Sequence, residues 1–125
     1  MSGVCMEAFK FTNDKPIYIQ LIEVFKCRIV AGELKPGDRL DSVRDLAVVA
    51  QVNPNTMQKA LSELEKEGLV RTERNSGRYI TDDSEVISNV RVQLSKNEVE
   101  SFVQKMVSLG FTKKDVIKLV NEQDF

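Results

Sequence analysis

Apolar residues recur along the chain at two different periods, and the change of period divides it. Ile17, Leu21, Val24, Phe25 and Ile29 stand three and four positions apart, the spacing that gathers side chains on one face of an α-helix. Pro16 fits the first turn of that helix, where a missing N–H costs nothing, and Gly32 suits its end. Leu34-Lys35-Pro36-Gly37-Asp38 reads as a turn. Ser42-Val43-Arg44-Asp45 has the form of a capping box, Ser42 accepting from the third helical N–H and Asp45 reaching back. A short helix then runs through Leu46, Ala47, Val49 and Ala50. Gln51-Val52-Asn53 connects it to the next, for which Asn53 is the cap and Pro54 the first residue. Met57, Ala60, Leu61 and Leu64 form the apolar stripe of this helix, and Gly68 stops it.

After Gly68 the pattern shifts to a weak alternation over Leu69–Arg74. The turn cluster Asn75-Ser76-Gly77 and the strand formers Arg78-Tyr79-Ile80-Thr81 follow, which together predict a β-hairpin. Helix, short helix, tight turn, helix and hairpin in that order make a winged helix-turn-helix. The helical period returns at Val86, Ile87, Val90 and Leu94 after Asp82-Asp83-Ser84. Ser95-Lys96-Asn97-Glu98 has the form of a second capping box, and Val99, Phe102, Val103, Met106 and Val107 continue a helical face. The pattern leaves open whether residues 84–109 are one helix or two. Gly110 ends that stretch, and Thr112-Lys113-Lys114-Asp115 begins a last short helix carrying Val116, Ile117 and Val120. The expected fold is mostly α with a small β-hairpin. A winged helix-turn-helix DNA-binding domain occupies residues 1–81, with an N-terminal arm over 1–13, and a short C-terminal helical dimerisation segment occupies 82–125. No internal repeat or low-complexity segment interrupts it.

The C-terminal segment has too few apolar positions for an independent core. Its stripe would leave an unusually large apolar patch on a monomer. Pairing with the same segment of a second chain would bury Val90, Leu94, Val99, Phe102, Val103, Met106, Val107, Phe111, Ile117 and Val120. A two-fold homodimer would then present two reading helices to a pseudo-palindromic operator, its half-sites about one helical turn apart.

Composition narrows the function. With 125 residues, 42% hydrophobic and 30% charged, the chain is globular and of single-domain size. Its net charge of −1 is not the basic balance of a generic nucleic-acid binder. Placement matters more: residues 1–80 hold 12 Lys and Arg against 11 Asp and Glu, and residues 81–125 hold 6 against 8. Modest non-specific affinity and a shallow salt dependence are expected. Two cysteines, Cys5 and Cys27, and no histidine make no zinc site. They suggest no disulfide either, Cys27 reading as a small, partly buried apolar residue. No cofactor or metal is expected, and no catalytic constellation is visible, so the chain does not read as an enzyme. Neither a signal peptide nor an apolar run of the ~20 residues needed to span a bilayer is seen, so a cytoplasmic protein with no membrane partner is expected.

The polar positions then carry the chemistry. Asn55, Thr56, Gln58 and Lys59 lie near the start of the third helix, where side chains reach base edges first. Asn and Gln can bind adenine N6 and N7, and Lys can reach guanine O6 and N7. Asn53 and Thr56 also suit phosphate. The wing Arg74-Asn75-Ser76-Gly77-Arg78 sets two arginines around a glycine-containing tip, a form that can enter a narrow minor groove. The plainer reading of the same residues is a solvated helix face and ordinary hairpin charges.

Many of these residues, at fixed spacing, resemble the N-terminal domain of GntR-type bacterial transcription regulators. The resemblance runs over about residues 15–81. It is carried by Pro16-Ile17-Tyr18 with Gln20-Leu21; by Gly32, Leu34 and Pro36-Gly37-Asp38-Arg39-Leu40; by Ser42-Val43-Arg44 with Leu46-Ala47; and by Val52-Asn53, Asn55-Thr56, Ala60, Leu64-Glu65 and Glu67-Gly68-Leu69. Val52-Asn53-Pro54-Asn55-Thr56 and the tail with Leu109-Gly110-Phe111 resemble the YtrA-like branch, which has a small two-helix C-terminal segment and no large ligand-binding domain. The resemblance implies a repressor, often of its own operon with ABC-transporter genes. It also implies that Arg44 reaches bases or backbone and that Ser42 contacts phosphate at a helix N-terminus. Two positions depart from the family pattern: Asp41 replaces the usual proline before Ser42, and Arg78 stands where threonine often follows the wing glycine. Asp41 and the acidic balance favour the alternative, a winged-helix module that binds protein instead of DNA. An unknown small-molecule effector could sit in a dimer cleft, although no residue cluster marks it.

Overall fold

The structure is a computed structural model that describes residues 11–125. Most of the expected arm, and Cys5 with it, lie outside the described residues. Pro16 sits just ahead of helix α1 (Ile17–Val30), in an extended conformation, and its carbonyl accepts from the N–H groups of Ile19 and Gln20. Ala31 closes the helix, and Gly32 takes the left-handed φ of 84° that a side chain would resist. Gln20, almost fully buried, ties the preceding residues to α1. Its Oε1 accepts from Thr12 N–H at 2.8 Å, and its Nε2 donates to the carbonyls of Thr12 and Lys15 at 3.0 and 2.7 Å.

Helix α2 (Val43–Ala50) is capped by Ser42, whose Oγ accepts from Asp45 N–H at 3.1 Å. Only half of the expected capping box forms, since the Asp45 carboxylate does not return to the Ser42 N–H. Ala47 and Ala50 are the buried residues of α2. Val49, expected along its apolar side, faces solvent with its neighbour Val48, at 67% and 70% exposure. Eight residues make barely two turns, so only one narrow stripe can face the core. Gln51 then adopts φ 58° and ψ 46°, and Val52 N–H donates back to the Ala47 carbonyl. This Schellman closure turns the chain sharply into Asn53. Helix α3 (Pro54–Lys66) starts at the expected position, with Asn53 Oδ1 accepting from Asn55 N–H at 2.7 Å.

The hairpin pairs β1 (Val70–Glu73) with β2 (Gly77–Ile80), in the register Val70–Ile80, Arg71–Tyr79, Thr72–Arg78 and Glu73–Gly77. Gly77 therefore belongs to the strand, and Arg74-Asn75-Ser76 form the tip. Asn75 supplies the left-handed residue there, at φ 66°. The free edge of β2 is occupied. Arg39 bridges Tyr79, with Leu40 N–H donating to the Arg78 carbonyl and Ile80 N–H to the Asp38 carbonyl, both at 2.8 Å.

α3 packs against α1, α2 and β1. Leu21, Phe25 and Ile29 of α1 meet Met57, Ala60, Leu61 and Leu64 of α3 in one cluster closed by Leu40, Leu69, Val70, Ile80 and Ile87. Each large side chain fully buried there contributes roughly 1.5–3 kcal/mol of transfer free energy. Tyr18 is half-buried at the margin of this cluster.

Helix α4 (Ser84–Ser108) is a single helix of 25 residues, which resolves the ambiguity over residues 84–109. Asp83 caps it, Oδ1 accepting from Glu85 N–H at 3.0 Å. The second capping box at Ser95–Glu98 does not form. Without Gly or Pro to break the stretch, Ser95 stays helical and its Oγ donates to the Val92 carbonyl at 2.7 Å. Ile87 is buried in the first cluster, and Val86 and Val90 pack against it. Val90, expected in the dimer stripe, is half-buried at the margin of this cluster. Helix α5 (Lys113–Asn121) carries a complete capping box between Thr112 and Asp115. Those bonds hold the Asp115 carboxyl below the usual carboxylate range, the Thr112 N–H contributing most.

The described residues fall into two compact units, one running to Val90 and the other Arg91–Phe125. The first holds every buried residue; none in the second is buried.

Candidate nucleic-acid interface

The start of α3 is where sequence and structure jointly place reactive side chains in solvent. Met57, Ala60, Leu61 and Leu64 take the inward positions. At helical spacing this leaves Asn55 and Lys59 pointing outward together, one turn apart, with Gln58 beside them. Asn53, Asn55, Gln58 and Lys59 are exposed and Thr56 is half-buried. Asn53 already uses its Oδ1 as the cap, which leaves its amide NH2 for a partner. Gln58 Nε2 donates to Ser62 Oγ at 3.2 Å, one turn on. Lys59 holds its ammonium 3.9 Å from the centre of the Tyr18 ring, a cation–π contact that stations the charge at the α1 side of the helix. Periodicity could not show that pairing, because Tyr18 lies on another helix.

Ser42 and Arg44 are exposed at the N-terminal end of α2. Arg44 makes no ion pair with Asp41 or Asp45 and remains available to a partner. Asp41 makes no hydrogen bond or ion pair among the described residues, so it takes no share in capping α2.

At the wing, Arg74 is exposed at the tip. Ser76 Oγ is hydrogen-bonded to Tyr79 OH. Gly77 has φ 125° and is half-buried. Arg78 differs from expectation. It stands opposite Thr72 within the strand pair, half-buried, with its Nε enclosed and without a partner. The two wing arginines are therefore not equivalent, because strand alternation sends Arg78 to the inward side that carries Ile80. Sequence reasoning missed Arg39, which the β2-edge bridge brings to Gly77: a Cβ there would lie 3.2 Å from Arg39 Nε.

The family model of the bacterial regulatory proteins, gntR family, matches residues 17–80. That span runs from the first residue of α1 to the last of β2. The chain belongs to the GntR family. It is 39% identical over 109 residues to an uncharacterized HTH-type transcriptional regulator of Bacillus subtilis (strain 168), YhcF, covering 87% of this chain and 90% of that protein. It is 47% identical over 72 residues to the HTH-type transcriptional repressor YtrA of the same organism, covering 58% of this chain and 55% of that one. Among solved structures, a GntR family transcriptional regulator from Listeria monocytogenes superposes with TM-score 0.81 at 37% identity, covering 91% of this chain and all of the other. This GntR chain is therefore a transcription regulator with a winged helix-turn-helix DNA-binding domain, and not an enzyme. No helix among the described residues is long and apolar enough to cross a membrane.

Proposed function

We propose that this GntR regulator is a repressor that binds a pseudo-palindromic operator as a homodimer. Asn55, Gln58 and Lys59 read base edges from α3. Ser42, Arg44, Asn53 and Thr56 hold the backbone or adjoining bases, and Arg74, Ser76, Gly77 and Arg78 serve the wing. The dimer rests on one observation. The unit Arg91–Phe125 contains no buried residue, yet Phe102, Val103, Phe111, Ile117 and Val120 line an apolar groove of about 580 Å³ within it. Apolar side chains gathered so densely favour a partner surface, and an identical segment supplies a complementary one at no cost in specificity. The stripe offered to this role is Val90, Leu94, Val99, Phe102, Val103, Met106, Val107, Phe111, Ile117 and Val120. Repression is favoured by the name of the relative YtrA, a transcriptional repressor.

Selection of genomic fragments by the purified protein tests this reading. An inverted repeat with half-sites about one helical turn apart is expected. Inserting about five base pairs between the half-sites, half a helical turn, turns them to opposite faces of the duplex and should abolish tight binding. Indifference to that insertion would contradict a two-fold dimer.

A further inference from the structure

The loop ahead of α2 carries a cation that neither the helix-turn-helix nor the wing tip uses. Arg39 forms an antiparallel bridge with Tyr79, and Tyr79 pairs with Arg71 on its other side. Cross-strand partners share one face of a sheet. Arg39, Tyr79 and Arg71 thus form a row on the outer face of the wing, opposite the buried row of Leu40, Ile80 and Val70.

The two arginines in that row differ in what they already hold. Arg71 Nη1 donates to Glu73 Oε1 at 3.0 Å, and its guanidinium lies 5.2 Å from the centre of the Tyr79 ring. Arg39 is exposed and has no carboxylate within ion-pair distance among the described residues. Asp38, beside it, accepts from Lys35 N–H at 2.9 Å. The Arg39 guanidinium instead leans over Gly77, whose missing side chain leaves it room. An uncompensated guanidinium is therefore fixed beside the first residue after the wing tip, three positions before the cap of α2.

We propose that Arg39 is a DNA-phosphate contact, clamping the strand that passes between the wing and the N-terminal end of α2. The inference rests on the DNA-binding reading above. A planar fork of N–H donors matches phosphate oxygens two at a time. A phosphate contact fixes register and carries no sequence information. Its signature is counterion release, a slope of about 0.9 in log K against log salt for each phosphate neutralised in duplex DNA. The β2-edge bridge holds the Arg39 backbone, so little ordering remains for binding.

The test titrates wild type, Arg39→Gln and Arg39→Lys against a labelled random-sequence duplex of about 30 base pairs, between 50 and 200 mM salt. Arg39→Gln should flatten the slope by about 0.9 per engaged arginine, so its deficit against wild type shrinks about 3.5-fold across that range. Arg39→Lys should keep the wild-type slope. The affinity lost by Arg39→Gln should be equal on random duplex and on the selected inverted repeat. A wild-type slope in Arg39→Gln, with wild type binding normally, would overturn the phosphate contact and reduce Arg39 to a cover for Gly77, leaving the DNA-binding reading intact. Failure of wild type to bind either duplex at 50 mM would overturn both.

Discussion

Replacing Phe25 with Ala is expected to destabilise the first unit by about 3–5 kcal/mol. The ring is 2% exposed and sits in the cluster where α1 meets α3. Its removal loses the transfer free energy of the aromatic group and leaves a void that the flanking helices close only in part. A small domain has only ~5–15 kcal/mol of net stability, so this one change removes a large share. The melting temperature should fall by at least about 12 °C. The chain has no Trp and two Tyr, Tyr18 and Tyr79, both in the first unit. Near-ultraviolet tyrosine signals therefore report that unit alone. Val49→Ala is the control: at 67% exposure its effect should stay within about 0.5 kcal/mol. Equal effects of the two variants would contradict the core assignment.

Placing Glu at Phe102 and Ile117 together should dissociate the proposed dimer. These side chains are 42% and 52% exposed in the single chain and line the same groove. The fold of the chain loses little from either change, while an apolar interface would have to bury four carboxylates, two from each copy. Sedimentation should show a monomer. Operator binding should weaken by about 10²–10⁴-fold, because linking two modules supplies that much avidity. Affinity for an isolated half-site should stay the same. A persistent dimer with unchanged operator affinity would place the interface elsewhere.

How far the sequence could be read varied with the range of the physics involved. The α3 stripe Met57, Ala60, Leu61 and Leu64 and its Asn53 cap are local, and both stand where periodicity puts them. The hairpin turn was located to within one residue, because Asn75 and Gly77 both tolerate left-handed backbone and the pattern does not say which one turns the chain. At Ser95–Glu98 a local capping motif pointed to a break, but with no Gly or Pro the uninterrupted helix prevailed. Val49 pointed outward because a two-turn helix offers the core only Ala47 and Ala50. The features that escaped notice all join residues that do not share one element. Lys59 lies over Tyr18, Arg39 lies over Gly77, and Gln20 gathers the backbone of Thr12 and Lys15. None has a period or a motif, since each depends on how separate elements meet.

Base reading by the side chains at the start of α3 is tested most directly by one comparison. Wild type and the Asn55→Ala, Gln58→Ala double variant would be titrated against the inverted repeat selected by wild type and against random duplex. Each bidentate base contact is worth about 1–3 kcal/mol of discrimination. The double variant removes two such contacts from each half-site, about 4 kcal/mol or more in all, so it should lose at least about 10³-fold in affinity for the repeat, with random-duplex affinity held within a few-fold. An unchanged preference for the repeat would show that these residues do not read the operator. Wild type without preference for any genomic fragment at low salt would contradict sequence-specific recognition by this helix.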